Sequence, residues 1–294
     1  MLFKSQKLLT PLAAISALLI GSAATAAIPA SYTQDFEGMA VADLGTDLSA
    51  DGWLVGANVF DAPEATGGVF KFFYGLFGAP NGGPGFSSVA TGDTVPSGAN
   101  YLNVYSDYNC CGLGGGTPEG HGNATDEVHA LVLREYTIEA SDIGKTLTFT
   151  FDAKRPDFVD DGGGFDQGPA VANDYCLPTP CSSTAGAFIK TLDPSMGFNT
   201  TNLVQEDMTA IDQASWTSFS MMLAVTDPLL VGQILQVGFE NRAVNFNTTG
   251  VYYDNISITT TGGPATVFVP VPAMALLGLA GLLAAAGAYV RRLR

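Results

Sequence analysis

From about residue 69 onward the chain alternates between short apolar stretches and long runs of Gly, Asn, Asp, Ser and Thr. Residues 146–151 (Thr-Leu-Thr-Phe-Thr-Phe) carry an apolar side chain at every second position, the period of a strand with one buried face. Residues 101–105 alternate in the same way, and residues 128–136 do so less regularly. Further strands are predicted at 69–73, 187–191, 217–225, 234–239 and 251–259, with a one-turn helix or corner at 140–144. No stretch of the body shows the 3.6-residue period of an amphipathic helix, and no internal repeat is present. Short strands separated by turn residues predict an all-β sandwich. Three inserts, residues 77–100, 107–126 and 157–181, exceed ordinary hairpin loops.

The two ends differ from this pattern. Lys4 and Lys7 precede an apolar run over 8–20, and Ala24-Thr25-Ala26 follows. That order is a secretory signal peptide over 1–26, cut after Ala26 by signal peptidase, with Ala27 as a near alternative. At the other end, residues 274–290 are seventeen uncharged positions followed by Arg291, Arg292 and Arg294. As a helix this segment spans roughly 25 Å, at the short end for crossing a bilayer. The arginines place the C-terminus inside and the body outside. Val269-Pro270-Val271-Pro272 stands just before it, where two prolines prevent an earlier helix start. A proline motif, one apolar helix and an arginine cluster, over 265–294, resemble the PEP-CTERM class of bacterial sorting tails, although the glutamate of Pro-Glu-Pro has no counterpart here. The resemblance implies a Gram-negative-type cell surface and removal of the tail by an exosortase-type transpeptidase. The other reading is a membrane anchor that is kept.

Composition narrows the function of the body, residues 27–264. All 28 acidic residues fall in it against seven basic ones, a balance of −21. Such a surface repels phosphate backbones, which excludes nucleic acid as a partner, and favours divalent cations such as calcium. Four cysteines, Cys110, Cys111, Cys176 and Cys181, suit two disulfides in an exported chain. Adjacent Cys110 and Cys111 rarely bond each other, so cross-links between the two loops are expected. Closure of Cys176 onto Cys181, or a four-thiolate metal site, are the alternatives.

Five segments occur in the order seen in jelly-roll carbohydrate-binding modules and galactose-binding-like domains. They are Asp35-Phe36-Glu37-Gly38, read as an opening strand; Gly52-Trp53; residues 148–154; Ser215-Trp216-Thr217-Ser218-Phe219; and residues 251–258, with Tyr252-Tyr253-Asp254-Asn255. The body therefore resembles that superfamily over most of residues 30–260. The resemblance implies a jelly-roll β-sandwich with long Gly-rich loops. It also implies a structural calcium held by acids of the first and last strands, Glu37 and Asp254, helped by Asp35 and Asp152. The acidic loop 157–166 is a second cation candidate, or simply a solvated loop.

Sugar binding needs exposed ring faces with polar groups beside them. The loop aromatics include Phe72, Phe73, Phe77 and Tyr175, and Tyr74, Tyr105 and Tyr108 are the ligand candidates, whereas Trp53 and Trp216 are expected in the core. His121 and His129 are the only histidines, the latter at the start of a strand. No nucleophile elbow, zincin helix or phosphate loop is present. The expectation is a non-catalytic envelope protein that binds extracellular polysaccharide through a calcium-stabilised sandwich. The alternatives are a structural envelope or biofilm-matrix protein without a soluble ligand, and a glycoside hydrolase with paired carboxylates.

Overall fold

A computed structural model describes residues 26–41, 46–75, 86–93, 95–106, 126–155, 183–244 and 249–263. Its strands are β1 (Ala26–Ala27), β2 (Ser31–Gln34), β3 (Leu54–Phe60), β4 (Phe70–Gly75), β5 (Phe86–Thr91), β6 (Asn100–Ser106), β7 (Glu127–Thr137), β8 (Lys145–Lys154), β9 (Thr184–Asp193), β10 (Asn199–Asp207), β11 (Thr217–Val225), β12 (Ile234–Val244) and β13 (Thr249–Gly262). One sheet runs β10-β9-β12-β7-β3-β4, with β1 along β7. The other runs β11-β8-β13-β6-β5, with β2 along β13. The consecutive pairs β3–β4, β5–β6 and β9–β10 lie side by side within a sheet, the other connections cross from one sheet to the other, and the result is a jelly-roll β-sandwich. Every pairing is antiparallel except the short β1–β7 contact at the expected cleavage point.

The alternation read from the sequence becomes the core. Leu147, Phe149 and Phe151 of β8 face Leu235, Val237 and Phe239 of β12 within one buried cluster. Phe239 stacks on Tyr253 with ring centroids 3.6 Å apart, and the Trp53 ring lies nearly parallel to it at 6.4 Å. The Trp53 indole N–H donates to Tyr32 Oη at 2.8 Å, which satisfies the one polar atom of that buried ring. On β13 the buried hydrophobic side chains are Val251 and Tyr253, then Ile256 and Ile258. A bulge between Asp254 and Ser257, with Asn255 at φ 49°, inserts the extra residue that changes this parity.

Most predicted strands are present, with longer bounds. The 3-10 turn Ala140–Asp142 stands where a one-turn helix is expected, closed by a reciprocal cap between Glu139 and Asp142. Five differences stand out. Asp35, Phe36 and Glu37 are not a strand: they follow β2 in a turn, with Phe36 buried at φ 60°. Strand β5 lies inside the predicted insert 77–100, and β10 lacks a period-two pattern because its side chains are mostly exposed on both faces of an edge strand. Strand β3 escapes the period-two pattern because nearly all of it is buried. Trp216 is half-buried just before β11, edge-on to Tyr101 at 6.1 Å, rather than in the core.

Among the described residues no helix is long and apolar enough to cross a membrane. Residues 1–25 of the expected signal peptide, the segment 274–290, the acidic loop 157–166 and all four cysteines lie outside the described residues.

Candidate functional site

The first sheet turns one face to the core and the other outward, and the outward positions of β12 carry polar side chains on either side of Gly238. On β12, Leu235, Val237 and Phe239 point inward, while Gln236, Glu240 and Arg242 fall on the opposite face. Lys190 of β9, Gln205 of β10, His129 of β7 and Asn58 of β3 join them. These residues line a cavity of about 140 Å³, with Leu131 and Phe188 contributing apolar surface. Gly238 leaves room on this face: a Cβ there would lie 2.3 Å from the Val132 carbonyl oxygen and 2.6 Å from Leu133 Cα. Its missing side chain lets Leu131, Leu133 and Phe188 pack together beneath the polar groups.

Glu240 is the hub of the cavity. Its Oε2 lies 2.8 Å from His129 Nε2, and its Oε1 accepts from Gln205 Nε2 at 2.7 Å. Burial works against its charge, but His129, Arg242 and Lys190 outweigh that and hold its carboxyl well below the usual range. Burial, with Arg242 nearby, pushes the His129 pKa down, and Glu240 opposes this. An ionised carboxylate can only accept, so the Nε2 facing Glu240 carries a proton. Arg242 reaches Glu64 at 2.8 Å, Glu127 at 3.6 Å and Glu240 at 3.4 Å. Burial raises Glu127 despite that arginine. Lys190 sits 4.5 Å from the centre of the Phe188 ring, and burial lowers its pKa. Chemically, the face offers planar amides, a guanidinium, an ammonium and carboxylates over an apolar patch, which suits a ligand with many hydroxyls.

A second polar centre lies where the first and last strands meet. Pairing of Gln34 with Ile256 brings the turn after β2 to the β13 bulge. Asp254 pairs directly with Asp152 across β13 and β8, and one of its oxygens, Oδ2, is buried with no hydrogen-bond partner. Burial raises the Asp254 pKa from 3.8 to about 7; the Asn255 amide opposes this, and Asp152, Glu37 and Asp35 add to it. Asp152 accepts from Asn255 Nδ2 at 2.9 Å and from the Ser218 hydroxyl. Glu37 Oε1 accepts from the Ala99 and Asn100 amides at 2.8 and 2.7 Å. Gly98 makes that approach possible, since a Cβ would lie 2.2 Å from the Glu37 carboxyl and its φ is +77°. Asp35 Oδ1 accepts from the Glu37 amide. The four acids therefore share one end of the sandwich.

Of the aromatic candidates, Tyr105 is 7% exposed on β6, so no open ring face remains. Tyr74 lies in β4 with its backbone opposite Ala57. Tyr108, Phe77 and Tyr175 lie outside the described residues. The groove itself was not anticipated from the sequence. Its signal was there in the polar residues at every second place of β12, among otherwise apolar neighbours.

No protein-family model matches the chain. No curated protein matches either. Solved structures do. The CBM22-2 xylan-binding domain of Paenibacillus barcinonensis Xyn10C is 13% identical, with TM-score 0.35, over 78% of this chain and 99% of that one. The enzymatically active domain of bacteriophage CBA120 tailspike protein 4 is 10% identical, with TM-score 0.37; 77% of this chain matches 22% of that one, so the chain spans about a fifth of its length. A cyclase from Fischerella sp. is 14% identical, with TM-score 0.33, over 60% and 73%. At such identities and scores these likenesses carry nothing about ligand or activity, and the chain is a jelly-roll β-sandwich with an outward polar groove on one sheet.

Proposed function

We propose that this protein is an exported, non-catalytic envelope component that binds extracellular polysaccharide along the outer face of the first sheet. The supporting observation is the cavity of about 140 Å³ in which Lys190, Gln205, Gln236 and Glu240 stand at alternate strand positions above Phe188 and Leu131. Amide and charged groups on rigid strands meet hydroxyls at fixed spacing, and the extended strand geometry suits an extended chain of sugars. The signal-peptide pattern and the tail 265–294 support a location at or beyond the outer face of the membrane, whether the tail is kept or removed by a sorting transpeptidase.

Calcium belongs to the same reading. Asp254 Oδ2 is a buried oxygen in need of a partner, and Asp152, Glu37 and Asp35 lie near enough for their charges to act on it, although without an ion no three of the four carboxylates stand together at ligand spacing. They fit calcium in donor type, and ligation would draw them inward around the ion. Bound there, calcium neutralises the facing acids and ties the first strand to the last.

A glycan array with the purified protein, with and without calcium, tests the proposal. Binding to an extracellular polysaccharide is expected, and Lys190→Ala or Gln205→Ala weakens it about three- to tenfold, the worth of one hydrogen bond of about 0.5–1.5 kcal/mol. Silence under both conditions overturns it in favour of a matrix protein without a soluble ligand.

A further inference from the structure

The groove holds a second constellation that glycan binding does not require. One ligand atom from each of Glu64, Glu127 and His129 lies within 4.8 Å of the other two. They come from two separated parts of the chain: the 3-10 turn Glu64–Thr66 between β3 and β4, and alternate positions on β7. His129 is 4% exposed, and its Nδ1 is buried with no hydrogen-bond partner. A buried ring nitrogen without a partner is costly unless something occupies its lone pair. Its other nitrogen, Nε2, is held by Glu240 at 2.8 Å. Metal-ligating histidines are typically arranged in this way: one nitrogen donates to a carboxylate, which fixes the tautomer and makes the other nitrogen the better donor.

We propose that Glu64, Glu127 and Nδ1 of His129 form a site for a borderline divalent cation, zinc above all, with Glu240 as the residue that orients His129. One imidazole nitrogen with two carboxylates suits zinc, whereas calcium seeks oxygen ligands alone. Charge agrees. The cluster gathers three carboxylates, Glu64, Glu127 and Glu240, against two cations, Arg242 and Lys190. In the metal-free protein Arg242 takes the cation's place, 2.8 Å from Glu64 and 3.6 Å from Glu127. Zinc therefore competes with a guanidinium, which retains its contact to Glu240 at 3.4 Å when displaced. That competition predicts modest affinity and makes the site regulated by the position of Arg242.

The site stands independently of the polysaccharide reading, since its test uses the metal alone. The full chain, stripped with chelator and returned to buffer containing calcium, is titrated with zinc by calorimetry and equilibrium dialysis. One zinc per chain is expected. Glu64→Gln, on the half-buried turn, and His129→Gln each weaken it at least tenfold. His121→Gln leaves it unchanged, and Arg242→Gln, which removes the competing cation, tightens it. Imidazole nitrogen NMR adds a readout that a merely structural role would not move: zinc shifts the Nδ1 resonance of His129 while Nε2 keeps its proton. Absence of stoichiometric zinc in a folded protein overturns the proposal. So does zinc binding that survives both Glu64→Gln and His129→Gln, or that depends on His121 instead.

Discussion

Replacing Asp254 with asparagine removes a carboxylate that the fold shields from water and places opposite Asp152, with Glu37 and Asp35 nearby. The Asp254 pKa rises from 3.8 to about 7. Between those values the folded state holds a proton that the unfolded state has released. Stability from this group is therefore complete below about pH 4 and falls as pH rises through 7. Three pKa units correspond to about 4 kcal/mol at most, and solvent near the exposed Glu37 and Asp35 screens this to about 2 kcal/mol. In chelator at pH 8, Asp254→Asn is thus expected to be more stable than wild type by about 2 kcal/mol, and at pH 4 to match it. Calcium reverses the order. At a hundredfold excess over its dissociation constant it stabilises wild type by about 2.7 kcal/mol, which the variant does not gain. For a domain of this size that is a rise of roughly 5–10 °C in melting temperature. Differential scanning calorimetry across pH 4–8, with calcium and with EDTA, reads all four conditions. A wild-type melting temperature flat from pH 4 to 8 in EDTA, or equal calcium responses in the two proteins, refutes the reasoning.

Three further outcomes follow from packing. Gly98→Ala forces a methyl group into the Glu37 carboxyl at a φ of +77°; it is expected to cost about 1–3 kcal/mol and to remove the calcium response, both read in the same calorimeter. Gly238→Ala drives a Cβ against the backbone of β7 on the groove face and is expected to lower stability by about 3 kcal/mol or more, seen as loss of a cooperative denaturant transition or a large fall in its midpoint. Phe239→Ala empties the centre of the aromatic stack formed with Tyr253 and Trp53 and costs about 3–5 kcal/mol in urea unfolding, with the groove residues untouched.

The strands that could be read from the sequence were those with one wet and one dry face. Strand β8 shows this best, since Leu147, Phe149 and Phe151 alternate with threonines, and β11 was placed at its observed bounds for the same reason. Strand β3 is buried on both faces and β10 is exposed on both, so neither shows the period. The acids at the chain ends were reached through resemblance, because nothing local in Asp35–Glu37 announces that β2 pairs with β13. The groove was harder still. Glu64 and Arg242 are far apart in the chain and meet through strand pairing and a 3-10 turn. His129 looked like an ordinary strand residue, since its meaning depends on Glu240 across the β7–β12 pair.

Hydrogen–deuterium exchange of the protein with a bound oligosaccharide, chosen from the array, tests the central claim most directly. Protection is expected in β9, β12 and β7, around Lys190, Gln236 and Glu240, with the second sheet unchanged. Protection confined to β11, β8 and β6, or none with the ligand bound, would contradict a glycan site on the outer face of the first sheet.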